Sequence, residues 1–585
     1  MIAIALALLA AAGYQQELQA IAASKAPEAQ RLRQLFDLTW RQQNVDHPEE
    51  ATFIGYPGQN DRWTDLSPAA IARRKSEDAA IPGVVRSIDR GKLGPEDQLN
   101  YDLFLRDADA DAAAARFPGE LLAISQLGGP QYLANVLEVM PQKTARDRQD
   151  VLARLKGIPT LLAQVQALLA RGLATGVTPP RVVLRDVPAQ LEAQTPAEPL
   201  QSPLLAAFRK QPEGREQAIQ IYREQLIPAY ARLRKYLVDS YIPGAREAVG
   251  WSALPDGAAW YAQRVERETT TALSPKEIHA LGLSEVKRIR AEMDQVMART
   301  GFKGDAAAFA KFLRTDPRFF FTDKDDLVRA YRDIAKRIDP ELVKLFGKLP
   351  RLPYGVQEIP AYAAKSQTTA YYRQGSPEVP RAGSYFVNTY ALDTRPRWEM
   401  EALSLHESVP GHHLQIALEQ ELEHVPEFRH QSAFVAFTEG WGLYAESLGP
   451  ELGMYQDPYS KYGQLTYEMW RAIRLVVDTG MHALGWSRAQ AIAYFKGNSA
   501  KAEHDIEVEI DRYIVNAAQA LAYKIGELKL KELRALAARE LGPRFDVRAF
   551  HDHVLSNGAV PLDLLEAQIR AWIVSEKLRA ARETR

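Results

Sequence analysis

The segment that decides the fold class begins Ser274-Pro275-Lys276-Glu277 and continues to Val296. Ser274 and Glu277 have the spacing of a helix capping box, and Pro275 takes the first helical position. Apolar residues then follow at spacings of mostly three and four, namely Ile278, Leu281, Val286, Ile289, Met293 and Val296. This periodicity predicts a long amphipathic α-helix.

Similar helical patterns cover most of the chain. In residues 160–172 a basic last turn and Gly172 predict the end of one such helix. Two segments, residues 355–359 and 384–390, are instead rich in β-branched and aromatic residues, as strands are. We therefore predict a predominantly all-α fold with a small β-sheet beside the histidine-rich segment described below.

The composition excludes several classes of protein. Hydrophobic residues make up 46% of the 585 residues and charged residues 25%, which is ordinary for a globular protein. The net charge of -1 provides no basic field, so we expect no nucleic-acid partner. The sequence contains no cysteine, so any metal site must be built from His, Asp or Glu.

The N-terminus resembles an export signal. Residues 2–12 are apolar but fall short of the roughly 20 residues that span a membrane, and no later segment approaches that length. Small residues up to Gly13 suit a cleavage site, although no Lys or Arg precedes the run. We predict a signal peptide in residues 1–13 and export to the periplasm or the medium. If the run is instead a buried first helix, the protein is cytoplasmic.

A seam in the sequence suggests how the rest is organised. The helix-rich first part of the chain ends in a segment that contains Pro and Gly residues and includes residues 251–257. We therefore divide the chain into an N-terminal helical region, residues 14–250, and a catalytic region, residues 251–585. Both regions are expected to belong to one continuous fold.

The chemistry concentrates between His406 and His430, where five of the 11 histidines lie. The string Leu405-His406-Glu407-Ser408-Val409-Pro410-Gly411-His412-His413 begins like the His-Glu-x-x-His helix of zinc peptidases. In that helix the second His is four residues after the first, but here Pro410 occupies the position. On a regular helix His412 would point about 240° away from His406, and His413 would lie about 10 Å further along the axis.

Neither histidine can therefore join His406 on a regular helix. Pro410 removes a helical hydrogen bond and Gly411 permits unusual backbone angles, so a bulge could return a histidine to the required position. We prefer His412 as the second ligand, with His413 as the alternate.

A catalytic zinc site needs a third protein ligand and an open position for water. The string Phe437-Thr438-Glu439-Gly440-Trp441 supplies Glu439 as that ligand on a second helix. Glu446, seven residues later, shares its helical face and could orient a ligand histidine. Glu407 is then the general base, which takes a proton from the attacking water and passes it to the leaving amine.

These strings resemble the DUF885 family of bacterial proteins. The resemblance is dense from about Tyr385 to Leu562 and includes the His-Glu-x-x-Pro-Gly-His-His string, Arg471-Ala472 with Arg474, and Gln519-Ala520. The family looks like a distant relative of helical gluzincins, which implies a zinc metallopeptidase with a helical body split by a deep cleft. One departure is that Ala517-Ala518 stand where the family usually has Pro-Gly, which weakens the expectation of a helix break there.

The following segment offers candidate cleft residues. Arg512, Asn516, Gln519 and Tyr523 recur at the spacing of one helix face, which is either a solvated face or a cleft wall. On the second interpretation Tyr523, or next Tyr513, donates to an oxyanion. Arg512 could then bind the C-terminal carboxylate of a peptide.

Rival enzyme classes lack their motifs. The chain has no Gly-x-Ser-x-Gly and no Gly-Lys-Ser/Thr loop, which disfavours serine hydrolases and P-loop enzymes. We therefore predict a zinc-dependent peptidase acting on short peptides, and a carboxypeptidase if Arg512 faces the cleft. The alternative is a non-catalytic helical protein that binds peptides or metal. The oligomeric state does not follow from the sequence.

Overall fold

The computed structural model describes residues 2–365, 367–376, 381–423, 425–431 and 434–583. Helices hold 71% of the residues and strands 3%, so the predicted all-α fold class is confirmed. The chain forms two compact units, Met1–Gln263 with Pro426–Arg429, and Arg264–Val425 with His430–Arg585. The boundary after Gln263 falls inside a helix, beyond the division after residue 250 that the sequence suggested.

In the described residues up to the boundary at Gln263, all regular secondary-structure elements are helices. These helices are α1 (Ile2–Ala23), α2 (Glu28–Asp46), α3 (Pro48–Phe53), α4 (Pro68–Arg86), α5 (Pro95–Ala114), α6 (Leu133–Val139), α7 (Ala145–Thr175), α8 (Val187–Glu192), α9 (Arg215–Ile221), α10 (Ile227–Tyr236), α11 (Ile242–Gly244) and α12 (Gly257–Thr269). The apolar run at the N-terminus belongs to α1, in which Tyr14, Leu18 and Ile21 are buried. None of the described helices combines the length and apolar character needed to cross a bilayer.

Helix α7 provides much of the core of the first unit and corrects one prediction. It begins with a capping box of Thr144 and Asp147 and ends before Gly176, whose φ is 75°. The predicted end at Gly172 is wrong, because the helix continues through that residue. A Cβ at Gly172 would lie 2.5 Å from the carbonyl oxygen of Val177, so this glycine permits close packing and does not end the helix.

The remaining helices lie between residues 275 and 583 of the chain. They are α13 (Pro275–Arg299), α14 (Ala306–Thr315), α15 (Lys324–Ile338), α16 (Ala361–Ala364), α17 (Met400–Glu407), α18 (His412–Gln420), α19 (Glu427–Gln431), α20 (Val435–Ser447), α21 (Pro458–Ala483), α22 (Arg488–Asn498), α23 (Glu503–Val515), α24 (Ala522–Leu541), α25 (Val547–Leu555) and α26 (Leu562–Glu583). The predicted capping box of Ser274 and Glu277 is confirmed at the start of α13.

Two glycines bring α20 and α24 into backbone contact. A Cβ at Gly440 would lie 2.5 Å from the Cα of Gly526, and a Cβ at Gly526 would lie 1.8 Å from the carbonyl oxygen of Ala436. No larger residue fits at either position without separating the helices. This contact sets α20, which carries Glu439, against α24, which carries Tyr523.

The second unit also contains a three-stranded sheet with the order β1-β3-β2. Its strands are β1 (Tyr354–Glu358), β2 (Ala370–Arg373) and β3 (Gly383–Val387). The central strand β3 pairs in parallel with β1 and antiparallel with β2. The two predicted strands are confirmed, each beginning one residue earlier than expected. Strand β2 was missed because its four residues are too few to show an alternating pattern.

Candidate metal centre

The chain is interrupted between α17, which ends at Glu407, and α18, which begins at His412. The interruption therefore takes the form of two separate helices, and the predicted bulge within one helix is wrong. A Cβ at Gly411 would lie 1.9 Å from the carbonyl oxygen of His406, so only glycine fits there. The Trp441 indole donates to the carbonyl oxygen of Pro410 at 2.8 Å, and the Val409–Pro410 peptide is cis.

Three side chains meet across this interruption. Oε2 of Glu439 lies 3.5 Å from Nε2 of His406 and 3.6 Å from Nε2 of His412. One ligand atom from each of the three residues lies within 4.8 Å of the other two. Zinc ligands at about 2.0–2.1 Å and tetrahedral angles are themselves about 3.4 Å apart. The three atoms therefore lie close enough together to hold one metal ion, and the two printed separations match those of zinc ligands.

Helix α20 also orients His406 through the second nitrogen of its ring. Nδ1 of His406 lies 2.8 Å from Oε1 of the fully buried Glu446. Gly442 lies between the two carboxylates of α20, and a Cβ there would come within 2.7 Å of the His406 ring. The pair Glu439 and Glu446 thus contacts both nitrogens of one imidazole, with Nε2 directed to the ligand cluster.

The carboxylates around His406 favour positive charge. Burial alone would lower the pKa of His406, but Glu439 and Glu446 raise it to about 10. Burial opposes ionisation of Glu439, yet its contacts with His406 and His412 hold the pKa of this carboxyl well below its usual range. The cluster therefore suits a cation. Among the described residues the buried Nδ1 of His412 has no hydrogen-bond partner.

His413, the alternate ligand, faces away from the cluster. Its Nδ1 lies 2.9 Å from the phenol oxygen of Tyr372, and its ring packs on Tyr354 with centroids 4.6 Å apart. Burial lowers the pKa of His413 to about 4, so its ring is neutral at neutral pH. The structure thus places His412, and not His413, beside His406.

Glu407 lies at the C-terminal end of α17, next to strand β2. Its Oε2 accepts a hydrogen bond from the backbone N–H of Tyr372 at 2.9 Å. The small sheet therefore borders the ligand cluster, as the sequence suggested. Tyr372 had no assigned role, because it lies on the strand that the sequence did not reveal.

The predicted single helix face of Arg512, Gln519 and Tyr523 is wrong. Helix α23 ends at Val515, and Ala518 has a left-handed φ of 70° before a 3₁₀ turn leads into α24. The expected continuous helix is broken although alanine replaces the Pro-Gly of the family. Both carboxylate oxygens of Asp478 accept the N–H of Ala518 at 3.2 Å, which stabilises the break.

Side-chain contacts nevertheless bring this polar segment together. Nη1 of Arg512 donates to Oε1 of Gln519 at 2.9 Å, and its Nη2 pairs with Glu509 at 3.0 Å. Burial, followed by the nearby carboxylate of Glu439, raises the pKa of Tyr523. Tyr523 is therefore a neutral phenol within electrostatic range of the cluster. The Gln519 side chain bonds to both Arg512 and Tyr523 and so connects them.

Tyr513 has a different environment. Its phenol is fully buried, accepts a hydrogen bond from Nε of Arg474 at 2.8 Å and donates to Oε2 of Glu509. Its one hydrogen is thus directed to Glu509, so Tyr523 is the better candidate donor. Arg474 was not assigned a role from the sequence, yet its guanidinium lies 4.5 Å from the centroid of the Tyr523 ring. The sequence signal for Arg474 was its position near Arg471, in the string that resembles the family.

The other histidines lie elsewhere. His482 is buried and contacts the carbonyl oxygen of Tyr513, and His551 is buried between the Tyr444 phenol and the carbonyl of Leu345. His430 is exposed, and His424 lies outside the described residues.

Fold and cluster together define a helical protein with a two-histidine, one-carboxylate candidate metal centre. The chain belongs to DUF885, a family of bacterial proteins of unknown function, whose family model matches residues 48–569. No curated protein matches it.

Two solved structures resemble this fold. One is "the putative lipoprotein from Colwellia psychrerythraea", with 27% identity, a TM-score of 0.84, and coverage of 94% of this chain and 99% of that one. The other is "a putative lipoprotein of unknown function from Shewanella oneidensis", with 16% identity, a TM-score of 0.70, and coverage of 92% and 99%. The second likeness concerns the fold alone.

Proposed function

We propose that this protein is a zinc-dependent peptidase that hydrolyses short peptides. The observation that carries the proposal is the convergence of His406, His412 and Glu439 next to Glu407. Two histidines, one glutamate and an open position are the ligand set of catalytic zinc in several peptidases. A bound zinc ion would supply a Lewis acid that polarises the scissile carbonyl and lowers the pKa of water.

Glu407 would act as the general base. It follows the first ligand directly, and the Tyr372 amide holds one of its oxygens. From there its carboxylate would accept a proton from the attacking water and deliver it to the leaving amine. A protein that only bound metal or peptide would need no proton acceptor beside the first metal ligand, so the position of this carboxylate favours an enzyme over the non-catalytic alternative.

Tyr523 would donate a hydrogen bond to the oxyanion. It is a neutral phenol near Glu439 on the helix that packs against α20. Removal of one oxyanion donor typically costs about 10²–10³-fold in kcat. Tyr523→Phe should show this loss, whereas Tyr513→Phe, whose hydroxyl donates to Glu509, should not show an oxyanion effect.

The proposal is tested by comparing zinc-loaded wild type with Glu407→Gln on a set of short peptides. We expect the variant to retain zinc but to lose about 10²–10⁴-fold in turnover, the usual contribution of a positioned proton acceptor. Glu421→Gln, which alters an ion pair with Arg351, is the matched control and should retain full turnover. Unchanged turnover of zinc-replete Glu407→Gln would reject the mechanism. Absence of hydrolysis by zinc-loaded wild type would leave the binding protein as the better reading.

Arg512 would make the enzyme a carboxypeptidase. Arg512 and Arg474 share the carboxylate of Glu509, and Arg474 also lies over the Tyr523 ring, so two guanidinium groups lie close to the proposed oxyanion donor. A guanidinium in this position would bind the terminal carboxylate of a peptide. Free-acid and C-terminally amidated versions of one peptide decide this point. Equal cleavage of both would exclude the anchor and favour an aminopeptidase or oligopeptidase.

We also propose that the protein is exported. The apolar run of residues 2–12 and the word lipoprotein in the name of the structural neighbour with 27% identity support this. Expression in a bacterial host, fractionation and N-terminal sequencing test it. A chain that starts after residue 13 in the periplasm or medium is expected, and an uncleaved cytoplasmic chain would contradict the prediction.

A further inference from the structure

The adjacent histidines His412 and His413 serve two different structures. Consecutive residues at the start of a helix diverge by about 100°, so they cannot both face one metal ion. His412 faces Glu439, whereas His413 is 2% exposed and faces the three-stranded sheet.

All three strands take part in the environment of His413. Its ring packs on Tyr354 of β1, and its Nδ1 lies 2.9 Å from the phenol oxygen of Tyr372 on β2. On β3, Gly383 leaves the space for this contact, since a Cβ there would lie 2.5 Å from that phenol oxygen and 2.9 Å from Nδ1 of His413. The hydrogen bond between Tyr372 and His413 is therefore enclosed by the sheet.

Strand β2 needs such an anchor. It has four residues and, within the described part of the chain, pairs only with β3, through a register that sets Tyr372 opposite Tyr385. A short strand at the edge of a sheet is weakly held by its backbone alone. The N–H of Tyr372 reaches Oε2 of Glu407 at 2.9 Å, so the place of this strand determines where the carboxylate is held.

We propose that His413 is a positioning residue, which fixes Tyr372 through its phenol so that the Tyr372 amide holds Glu407 for proton transfer. This inference rests on the proposed peptidase function for its kinetic consequence, but its structural statement stands independently. A displacement of about 1 Å of a catalytic group can reduce turnover by about 10²-fold. Loss of the anchor should therefore act on kcat while zinc and substrate binding persist.

The kinetic test uses Tyr372→Phe and His413→Leu, which remove the hydrogen bond from either side. We expect full zinc content, a KM within about twofold of wild type, and a kcat lower by about 10- to 100-fold. His413→Asn should restore most of kcat, because the asparagine Oδ1 replaces the histidine Nδ1. Tyr371→Phe, the same change at the neighbouring residue on the opposite face of β2, is the control and should match wild type.

A double-mutant cycle separates positioning from general damage. When Glu407→Gln is present, Tyr372→Phe should change kcat by less than about twofold, because the group it positions is already lost. An equal loss in both backgrounds would overturn the proposal, and so would wild-type kcat in both Tyr372→Phe and His413→Leu.

Crystal structures of wild type, His413→Leu and His413→Asn provide a readout that needs no activity. The distance from Oε2 of Glu407 to the N of Tyr372 should remain near 2.9 Å in wild type and His413→Asn and exceed 3.5 Å in His413→Leu. A retained hydrogen bond in His413→Leu would overturn the inference. If wild type shows no zinc-dependent hydrolysis, the proposed function fails, and these distances still decide the role of His413.

Discussion

Two helix interruptions border the candidate site, and they arise in different ways. The first interruption, residues 408–411, separates α17 from α18 and contains Pro410 and Gly411. Proline cannot continue a regular helix, and glycine is unfavourable within one. The second interruption, residues 516–518, precedes α24 and contains no proline or glycine. There Ala518 adopts a left-handed φ of 70° with its N–H bonded to Asp478, 40 residues earlier in the chain.

The first interruption depends on the residues within it, whereas the second depends on a contact with a distant residue. The first interruption brings a candidate metal ligand into the cluster, and its geometry relies on the absence of a side chain at Gly411. The second delivers no ligand, but it orders Arg512, Gln519 and Tyr523 near the cluster. Changes at the first should therefore affect metal binding, whereas changes at the second should affect stability and turnover.

The largest effect is expected from Gly411→Ala. The new Cβ would lie 1.9 Å from the carbonyl oxygen of His406 and 2.4 Å from that of Leu405, so the end of α17 must move. We expect zinc affinity to fall by at least about 100-fold, the upper end of what outer contacts of a metal site contribute. Competition with a chromophoric chelator measures this. Gly497→Ala, where a Cβ meets nothing within 4 Å, is the control, and an unchanged affinity in Gly411→Ala would refute the steric account.

Glu446→Gln should have the next largest effect. The substitution keeps the shape but removes the charge that orients Nδ1 of His406, the first candidate ligand. Loss of such a partner typically lowers metal affinity by about 10–100-fold. Glu451→Gln changes an exposed ion pair with Arg534 just after α20 and should leave affinity unchanged. Equal affinities of the Glu446 and Glu451 variants would show that Glu446 does not act on the cluster.

Asp478→Asn tests the second interruption. The buried carboxylate accepts the N–H of Ala518, and hydrogen bonds to charged groups contribute about 1.5–3 kcal/mol to stability. We expect the free energy of unfolding to fall by about 2 kcal/mol in denaturant titrations while zinc stoichiometry stays at the wild-type value. Loss of zinc together with wild-type stability would reverse the assignment of the two interruptions.

The smallest effect is expected from Ala518→Gly. A left-handed conformation costs an L-residue about 1–2 kcal/mol, whereas glycine adds about 0.4–1 kcal/mol of unfolded-chain entropy. The net change should be a gain of up to about 1.6 kcal/mol in the free energy of unfolding, without any change in zinc binding. A loss greater than about 1 kcal/mol would mean that the alanine side chain itself holds the break.

These two interruptions also explain what could be predicted from the sequence. The first interruption is visible in Pro410 and Gly411, since the conformational limits of these residues are local properties. The proximity of Glu446 to His406 could also be predicted, because Glu446 lies two helical turns after Glu439 and therefore on the same face of its helix. The second interruption is invisible because it depends on the distant Asp478.

The role of the sheet could not be predicted for a related reason. Strand β2 is too short to show a period, and the contacts of Tyr372 join residues 35 and 41 positions apart in the chain. Such contacts follow from tertiary packing rather than from local pattern. The adjacent histidines were therefore interpreted as alternatives for one position, although the structure gives each its own environment.

We infer that the first interruption brings His412, and not His413, to a zinc ion beside His406 and Glu439. The most direct test is the zinc content of purified wild type, His412→Ala and His413→Ala after dialysis, measured by inductively coupled plasma mass spectrometry, with folding checked by circular dichroism. We expect one zinc per chain in wild type and in His413→Ala, and none in His412→Ala. Retention by folded His412→Ala together with loss from His413→Ala would contradict this inference.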